Sequence, residues 1–193
     1  HFSKFLNFFD KLTLHGKNLE YIPKKKSKID VVVIGYNRIG YSILRKLKKM
    51  KKKVIIVDFN PEVIKNLISK KIHCIYGDAG DLEIIERLRL KEKEMVISTI
   101  PDMQDNLLLI KKYKEQNSKG LIIVNASQVE EALKLYDAGA DYVLLPHFLG
   151  GEHVSLLLED FTTDLNKLLN TKVGHIKELK RRKKIGHEHP RHH

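Results

Sequence analysis

Val31-Val32-Val33-Ile34-Gly35-Tyr36-Asn37-Arg38-Ile39-Gly40 is the stretch on which the fold turns. Its first four residues complete a short β-branched run, Ile29–Ile34, which reads as a strand buried on both faces. A glycine turn follows, and then Ile39, Ile43, Leu44 and Leu47 recur at helical spacing. Strand, glycine turn and helix in that order are the context of a dinucleotide-binding fingerprint. Gly35 permits the tight turn, and Gly40 permits close packing of helix on strand. The helix start offers N–H groups and the positive end of its dipole to a phosphate, and Arg38 adds a charged contact. Asn37 stands in place of the fingerprint's middle glycine, and its side chain takes room that a pyrophosphate would use. A mononucleotide fits such a turn more readily than a dinucleotide. The alternative is a structural turn that binds nothing.

Further apolar runs of strand length lie at residues 54–57, 74–76, 95–98, 121–124 and 142–145. Helical patterns separate them. Residues 38–50 form the first, and Pro61 opens the second in its first turn with Asn60 as N-cap. Residues 81–88, 102–116 and 129–138 supply three more. Strands alternating with short helices build a parallel sheet covered on both faces. The expected fold is α/β, a doubly wound, parallel, six-stranded Rossmann-type sheet with helical N- and C-terminal extensions. Residues 1–22 carry Phe2, Phe5, Leu6, Phe9 and Leu12 at helical spacing, ahead of a Pro23-Lys24-Lys25-Lys26 linker. Residues 152–185 read as helix, with Val154, Leu157, Leu158, Phe161, Leu165, Leu168 and Leu169 on one face. That stripe needs burial against the sheet or a second subunit.

Several residues at the carboxyl ends of the expected strands point to ligand chemistry. Asp58 ends the second strand, where an acid accepts hydrogen bonds from ribose hydroxyls and repels a 2′-phosphate. NADP is thereby disfavoured. Asp58 would serve equally as a cap for the helix at Pro61. Gly77-Asp78-Ala79-Gly80-Asp81 leaves the third strand at the same sheet edge, and Asp78 or Asp81 would also cap the next helix. Ser98 and Thr99 leave the fourth strand across the switch point, where a phosphate, ribose or nicotinamide can lie. No catalytic constellation emerges: a dehydrogenase needs a proton donor and a substrate domain. His147 is the best-placed candidate acid and reads better as a loop histidine. No native metal site is assigned to His187, His189, His192 and His193.

The composition bounds the rest. With 193 residues and 42% hydrophobic side chains the chain can build one core, with little left for a second. The single cysteine, Cys74, excludes an internal disulfide and falls in a buried strand, where a thiol is inert. No run approaches the roughly 18 apolar residues of a membrane span, and no signal peptide is legible. The start at His1 rather than Met reads as a piece excised from a longer protein. The net charge of +12 is uneven. Residues 29–166 hold 20 basic and 20 acidic side chains, whereas residues 1–28 hold seven and two, and residues 167–193 nine and two. Basic flanks around a neutral centre favour anionic lipid headgroups. Nucleic acid is set aside, because no aromatic platform or DNA-binding motif accompanies the charge.

The segments 31–40, Val57-Asp58-Phe59-Asn60-Pro61-Glu62 and Tyr76-Gly77-Asp78-Ala79 together resemble the N-terminal RCK domain, also called TrkA-N or KTN. Val96-Ile97-Ser98-Thr99-Ile100-Pro101-Asp102 with Asn106, and Ala138-Gly139-Ala140-Asp141-Tyr142-Val143 with Pro146, continue the resemblance over about residues 29–150. It is most similar to the cytosolic domains of Kef-type monovalent cation:proton antiporters. The resemblance implies a nucleotide-sensing regulatory domain of a K+ or Na+ transport system at the cytoplasmic face of the cell membrane, and not an enzyme. It implies a homodimer, and a transmembrane cation transport domain in the same polypeptide or an associated subunit. The implied ligand is AMP, ADP, ATP or NAD(H), with phosphates near Gly35, Arg38 and Gly40 and adenosine between Asp58 and Asp78-Ala79. Tyr36, Asn37, Ile39, Phe59, Gly77, Ser98 and Thr99 complete the implied contacts. The expected organisation is then a membrane-proximal linker and amphipathic helix over 1–28, a Rossmann domain over 29–150, a helical dimerisation arm over 151–185 and a disordered tail over 186–193. Asn37 departs from the family pattern, no second ligand-binding domain is legible after 150, and no glutathione-control motif is present. A small NAD-dependent oxidoreductase and a dimerisation module with a non-binding Rossmann site are the competing readings.

Overall fold

The computed structural model of the chain describes residues 19–22, 28–163 and 165–184, and the side chains of all of these but 160–165. A two-residue strand β1 (Glu20–Tyr21) comes first, followed by β2 (Val31–Ile34), α1 (Arg38–Lys49), β3 (Val54–Asp58), α2 (Pro61–Ser69), β4 (Cys74–Tyr76) and α3 (Leu82–Arg87). After a 3-10 turn at Leu90–Glu92 come β5 (Met95–Ser98), α4 (Met103–Gln116), β6 (Leu121–Asn125), α5 (Val129–Asp137) and β7 (Tyr142–Leu144). A second unit starts at Leu145 and contains α6 (Pro146–Thr163) and α7 (Leu165–Lys184).

The sheet runs β1-β4-β3-β2-β5-β6-β7. Its last six strands in that order are all parallel, as expected. Strand β2 lies at the centre, with Val31 to Ile34 opposite Val54 to Val57 on one side and Met95 to Ser98 on the other. All four of its residues are buried, which is what a continuous β-branched run in a two-sided sheet requires. Side chains alternate between the faces. Val31, Val33, Val54, Ile56 and Cys74 pack with Leu44 and Leu47 of α1 and Ile64 and Leu67 of α2. The direction of travel reverses after β4, so right-handed crossovers carry α4 and α5 to the opposite face. There Leu109, Ile110, Tyr113, Ala132 and Leu135 are buried. Cys74 is fully buried, and burial pushes its thiol up to about 11.

The sheet has seven strands rather than six. The additional strand, β1, pairs antiparallel with β4, Glu20 opposite Ile75 and Tyr21 opposite Cys74. Residues 20 and 21 are therefore extended where helical spacing was expected over 1–22. The open edge of β4 presents unpaired backbone groups, and three contacts hold the segment there. Tyr76 N–H donates to Leu19 O at 3.0 Å. Glu20 pairs with Arg87 of α3. The Tyr21 ring stacks on His73 at 5.2 Å. The rest of the expected N-terminal helix, the Pro23-Lys26 linker and the 186–193 tail lie outside the described residues. At the other end Leu145 is outside β7, and helix already begins at Pro146, ahead of the expected 151. Proline at a first helical position is pre-shaped for it.

Candidate functional site

The turn after β2 is fixed by its two glycines. Gly35 has φ +81°, a left-handed conformation that favours glycine. A Cβ on Gly40 would stand 2.0 Å from the carbonyl oxygen of Gly35. Helix α1 therefore starts directly against the strand end, and its first N–H groups face the carboxyl edge of the sheet. Asn37 occupies the N-cap position with φ −51°. Its side chain makes no capping hydrogen bond and, like that of Arg38, is exposed. Ile39 is half-buried.

Tyr36 sits differently from an open ligand contact. Its ring is buried in the core under α1, edge-on to Tyr41 at 6.0 Å, and burial pushes its hydroxyl up to about 12. Its N–H donates to Asp58 Oδ2 at 2.8 Å. Asp58 is 8% exposed, and its Oδ1 accepts from Asn60 N–H, also at 2.8 Å. The carboxylate thus ties the glycine turn to the β3–α2 turn. Each oxygen keeps a lone pair for a ribose hydroxyl. The cap of α2 is Asn60 rather than Asp58: its side chain accepts from Glu62 and Val63.

Around Asp58 lies a cleft of about 190 Å³ at the carboxyl ends of β2, β3 and β4. Ile34, Gly35, Val57, Phe59, Gly77, Asp78 and Ala79 line it, with Ile100, Pro101, Asp102 and Asp105 on the far wall. Phe59, one of the lining residues, is 68% exposed. Asp78 turns Oδ1 to Gly80 N–H at 3.1 Å, and Asp81 caps α3 through Glu83 N–H. Asp102 caps α4 through Asp105 N–H. Burial, and then the neighbouring Asp102 and Asp78, push the Asp105 carboxyl up. One wall of the cleft is therefore acidic. Among the described residues no group of three or more His, Cys, Asp or Glu is placed to hold a metal ion. Also among them, no helix is long and apolar enough to cross a membrane.

Residues 31–146 match the TrkA-N domain. The chain belongs to the TrkA-N family. It is 30% identical to a probable potassium channel protein 2 of Methanocaldococcus jannaschii over 148 residues, which is 72% of this chain and 43% of the relative. It is also 30% identical to the glutathione-regulated potassium-efflux system protein KefC of Escherichia coli over 111 residues, 58% of this chain and 18% of that protein. The chain spans less than half the length of these curated relatives. Among solved structures, the TrkA-N domain of the inner membrane protein ybaL from Escherichia coli superposes with a TM-score of 0.64 at 20% identity, covering 69% of this chain and 98% of that one. A Kef CTD of Shewanella denitrificans in AMP-bound form gives 0.59 at 16% identity, covering 79% and 92%. The GsuK channel bound to NAD gives 0.57 at 21% identity, covering 75% and 26%. At these identities the superpositions establish the fold.

The TrkA-N cleft gathers six of the residues singled out from sequence: Gly35, Asp58, Phe59, Gly77, Asp78 and Ala79. Asn37, Arg38, Ile39 and Gly40 form the adjoining helix start. Ser98 and Thr99 are placed otherwise. Ser98 is wholly buried, and its Oγ has no hydrogen-bond partner. Thr99 Oγ1 lies 3.2 Å from Ile34 O and 3.0 Å from Gly35 O, bracing the turn from beneath. The wall on that side comes instead from Ile100, Pro101, Asp102 and Asp105. Pro101 before an N-cap aspartate was the available signal, because it stops β5 and turns the chain over the sheet edge. His147 lies in the first turn of α6 and is exposed.

Proposed function

We propose that this TrkA-N domain senses an adenine nucleotide and regulates a K+ or Na+ transport system, a monovalent cation:proton antiporter or a K+ channel-type assembly. Exposed Phe59 beside a largely apolar cleft carries the reading. A purine can stack on that ring while its ribose reaches Asp58. The acidic wall of Asp78, Asp102 and Asp105 turns phosphates away and towards the glycine turn. There the N-terminus of α1 and Arg38 favour negative charge. A 2′-phosphate beside buried Asp58 would meet like charge, which disfavours NADP against AMP, ADP, ATP and NAD(H). The relatives named as a potassium channel and a potassium-efflux protein support the transport context, and the AMP- and NAD-bound neighbours support the ligand class. The domain would sit at the cytoplasmic face of the membrane, dimeric, joined to or associated with a transmembrane domain. It acts by conformational bias and not by catalysis. A nucleotide shifts the equilibrium only by its differential affinity for two states.

The test is binding of AMP, ADP, ATP, NAD, NADH and NADP to the purified chain, followed by thermal shift and calorimetry. A ligand at a hundredfold excess over its dissociation constant stabilises by about 2.7 kcal/mol, a shift of several degrees. Phe59→Ala is expected to weaken the preferred nucleotide about tenfold by removing the stacking surface. A chain indifferent to all six nucleotides sinks the proposal and leaves a dimerisation module with a silent site. Turnover of NAD(H) with a substrate would instead make it an oxidoreductase.

A further inference from the structure

Helix α7 combines two features that nothing in the nucleotide cleft uses. Leu169, Val173, Ile176 and Leu179 are 53%, 50%, 40% and 51% exposed. At 100° per residue they share a sector of about 120°. Over the same stretch, residues 166–184 hold eight Lys and Arg and one acid, Glu178. Glu178 bonds both Arg181 and Arg182. Lys172, Lys177, Lys180, Lys183 and Lys184 are all exposed. On the helical wheel Lys172, Lys180 and Lys183 fall inside the apolar sector, and Lys177 and Lys184 border it.

That interleaving decides what can cover the stripe. A protein groove deep enough to take the four apolar side chains would also bury ammonium groups away from water, at a cost of several kcal/mol each unless paired. A second α7 would bring a like-charged surface against it. Nucleic acid would satisfy the lysines but leave the apolar residues without a partner. An anionic lipid surface satisfies both. The aliphatic stems of lysine lie with the apolar side chains below the headgroups, and the ammonium groups reach the phosphates. We infer that α7 lies on an anionic membrane surface, with Leu169, Val173, Ile176 and Leu179 dipping into the acyl boundary and the flanking lysines on lipid phosphate. The helix is about 30 Å long and would lie in the interface rather than cross it.

Flotation of the full chain with vesicles tests this, using phosphatidylcholine alone and an equal mixture of phosphatidylcholine and phosphatidylglycerol. Binding is expected to the anionic vesicles, to weaken with added salt, and to be slight with the neutral ones. Lys177→Gln and Lys184→Gln should each lower it about fivefold. Ile176→Ser with Leu179→Ser should lower it about tenfold or more. Far-ultraviolet circular dichroism of each variant checks that helix content is kept. Anionic binding that survives the serine variants unchanged belongs to another basic segment and overturns the inference. So does equal binding to both vesicles or to neither. A molecular mass that rises with concentration and falls with the serine variants would make the occupant a second copy. Vesicle-free binding to a DNA duplex lost with the lysine variants alone would make it nucleic acid.

Discussion

Gly40 leaves no room for a side chain, and its neighbour is backbone. A Cβ 2.0 Å from Gly35 O must push α1 off the end of β2, because a carbonyl in a fixed turn cannot rotate away as a flexible side chain would. Gly35 itself cannot yield readily. Its φ of +81° is set by the turn, and Thr99 Oγ1 would stand 2.5 Å from a Cβ there. Gly40→Ala is therefore expected to cost about 3 kcal/mol in a denaturant titration, at the upper end for overpacking. It should also abolish nucleotide binding, because the helix start moves away from the cleft. An alanine variant with unchanged midpoint and unchanged affinity would show that the turn has slack which its geometry denies. Asn37 makes the opposite case. Its φ is negative and its side chain exposed, so the substitution for glycine bears on how closely a phosphate can approach.

At the scale of elements, the ends of α1 and α2 obey one rule with an uncommon residue. Both close with paired backbone hydrogen bonds from the two residues beyond the cap. Lys51 N–H donates to Lys48 O and Lys52 N–H to Leu47 O, and likewise Lys71 to Ile68 and Ile72 to Leu67. The residue after the cap must then be left-handed, and it is lysine in both, with φ 58° at Lys51 and 54° at Lys71. α5 ends the same way on Gly139. Lys71→Gly should therefore stabilise the chain by about 1 kcal/mol, read as a rise in the denaturant midpoint, since an exposed lysine gains nothing from that conformation. A lower midpoint would mean that chain entropy outweighs the relief.

This also explains what was legible. The six parallel strands, their helices and half of the cleft lining follow from β-branched runs, glycine turns and caps that are local in sequence. The end of α1 carries no mark in the sequence, because lysine is no stop signal, and helical spacing continues to residue 50. Strand β1 was invisible for a different reason. Its two residues are extended only because β4 offers an edge, Arg87 a charge and His73 a ring, all remote in sequence. That placement has a functional consequence. β4 runs straight into Gly77-Asp78-Ala79 of the cleft, and Gly77 N–H donates to Asp58 O at 3.2 Å. A nucleotide that orders this wall should slow hydrogen exchange at the Tyr76 amide, which is bonded to Leu19 O. By reciprocity, Tyr21→Ala with Arg87→Ala should weaken nucleotide binding severalfold. An affinity untouched by losing β1 would leave the chain before β2 without a route to the cleft.

At the scale of the whole molecule, the two C-terminal helices divide by chemistry. Helix α7 is basic, whereas α6 contains no lysine or arginine and three acids, Glu152, Glu159 and Asp160. Val154, Leu156 and Leu158 of α6 are 55%, 62% and 58% exposed, and Phe148 is 58% exposed. At 100° per residue these side chains spread over about 200° with Glu152 and Glu159 among them, so α6 has no single apolar stripe. An anionic lipid surface would be repelled by its acids, and the proposed homodimer is the occupant to test here. The proposed homodimer then has a specific dependence. Leu156→Glu with Leu158→Glu should convert the chain from dimer to monomer in light scattering, because two carboxylates placed in an apolar contact cost far more than a rim charge. The same variants should leave vesicle flotation through α7 intact. Conversely, Ile176→Ser with Leu179→Ser should leave the mass unchanged while flotation falls. If the glutamate variants remain dimeric, the self-association lies elsewhere and α6 must be enclosed by a different protein segment, for which a transmembrane transport domain is the first candidate to test by cross-linking at Phe148.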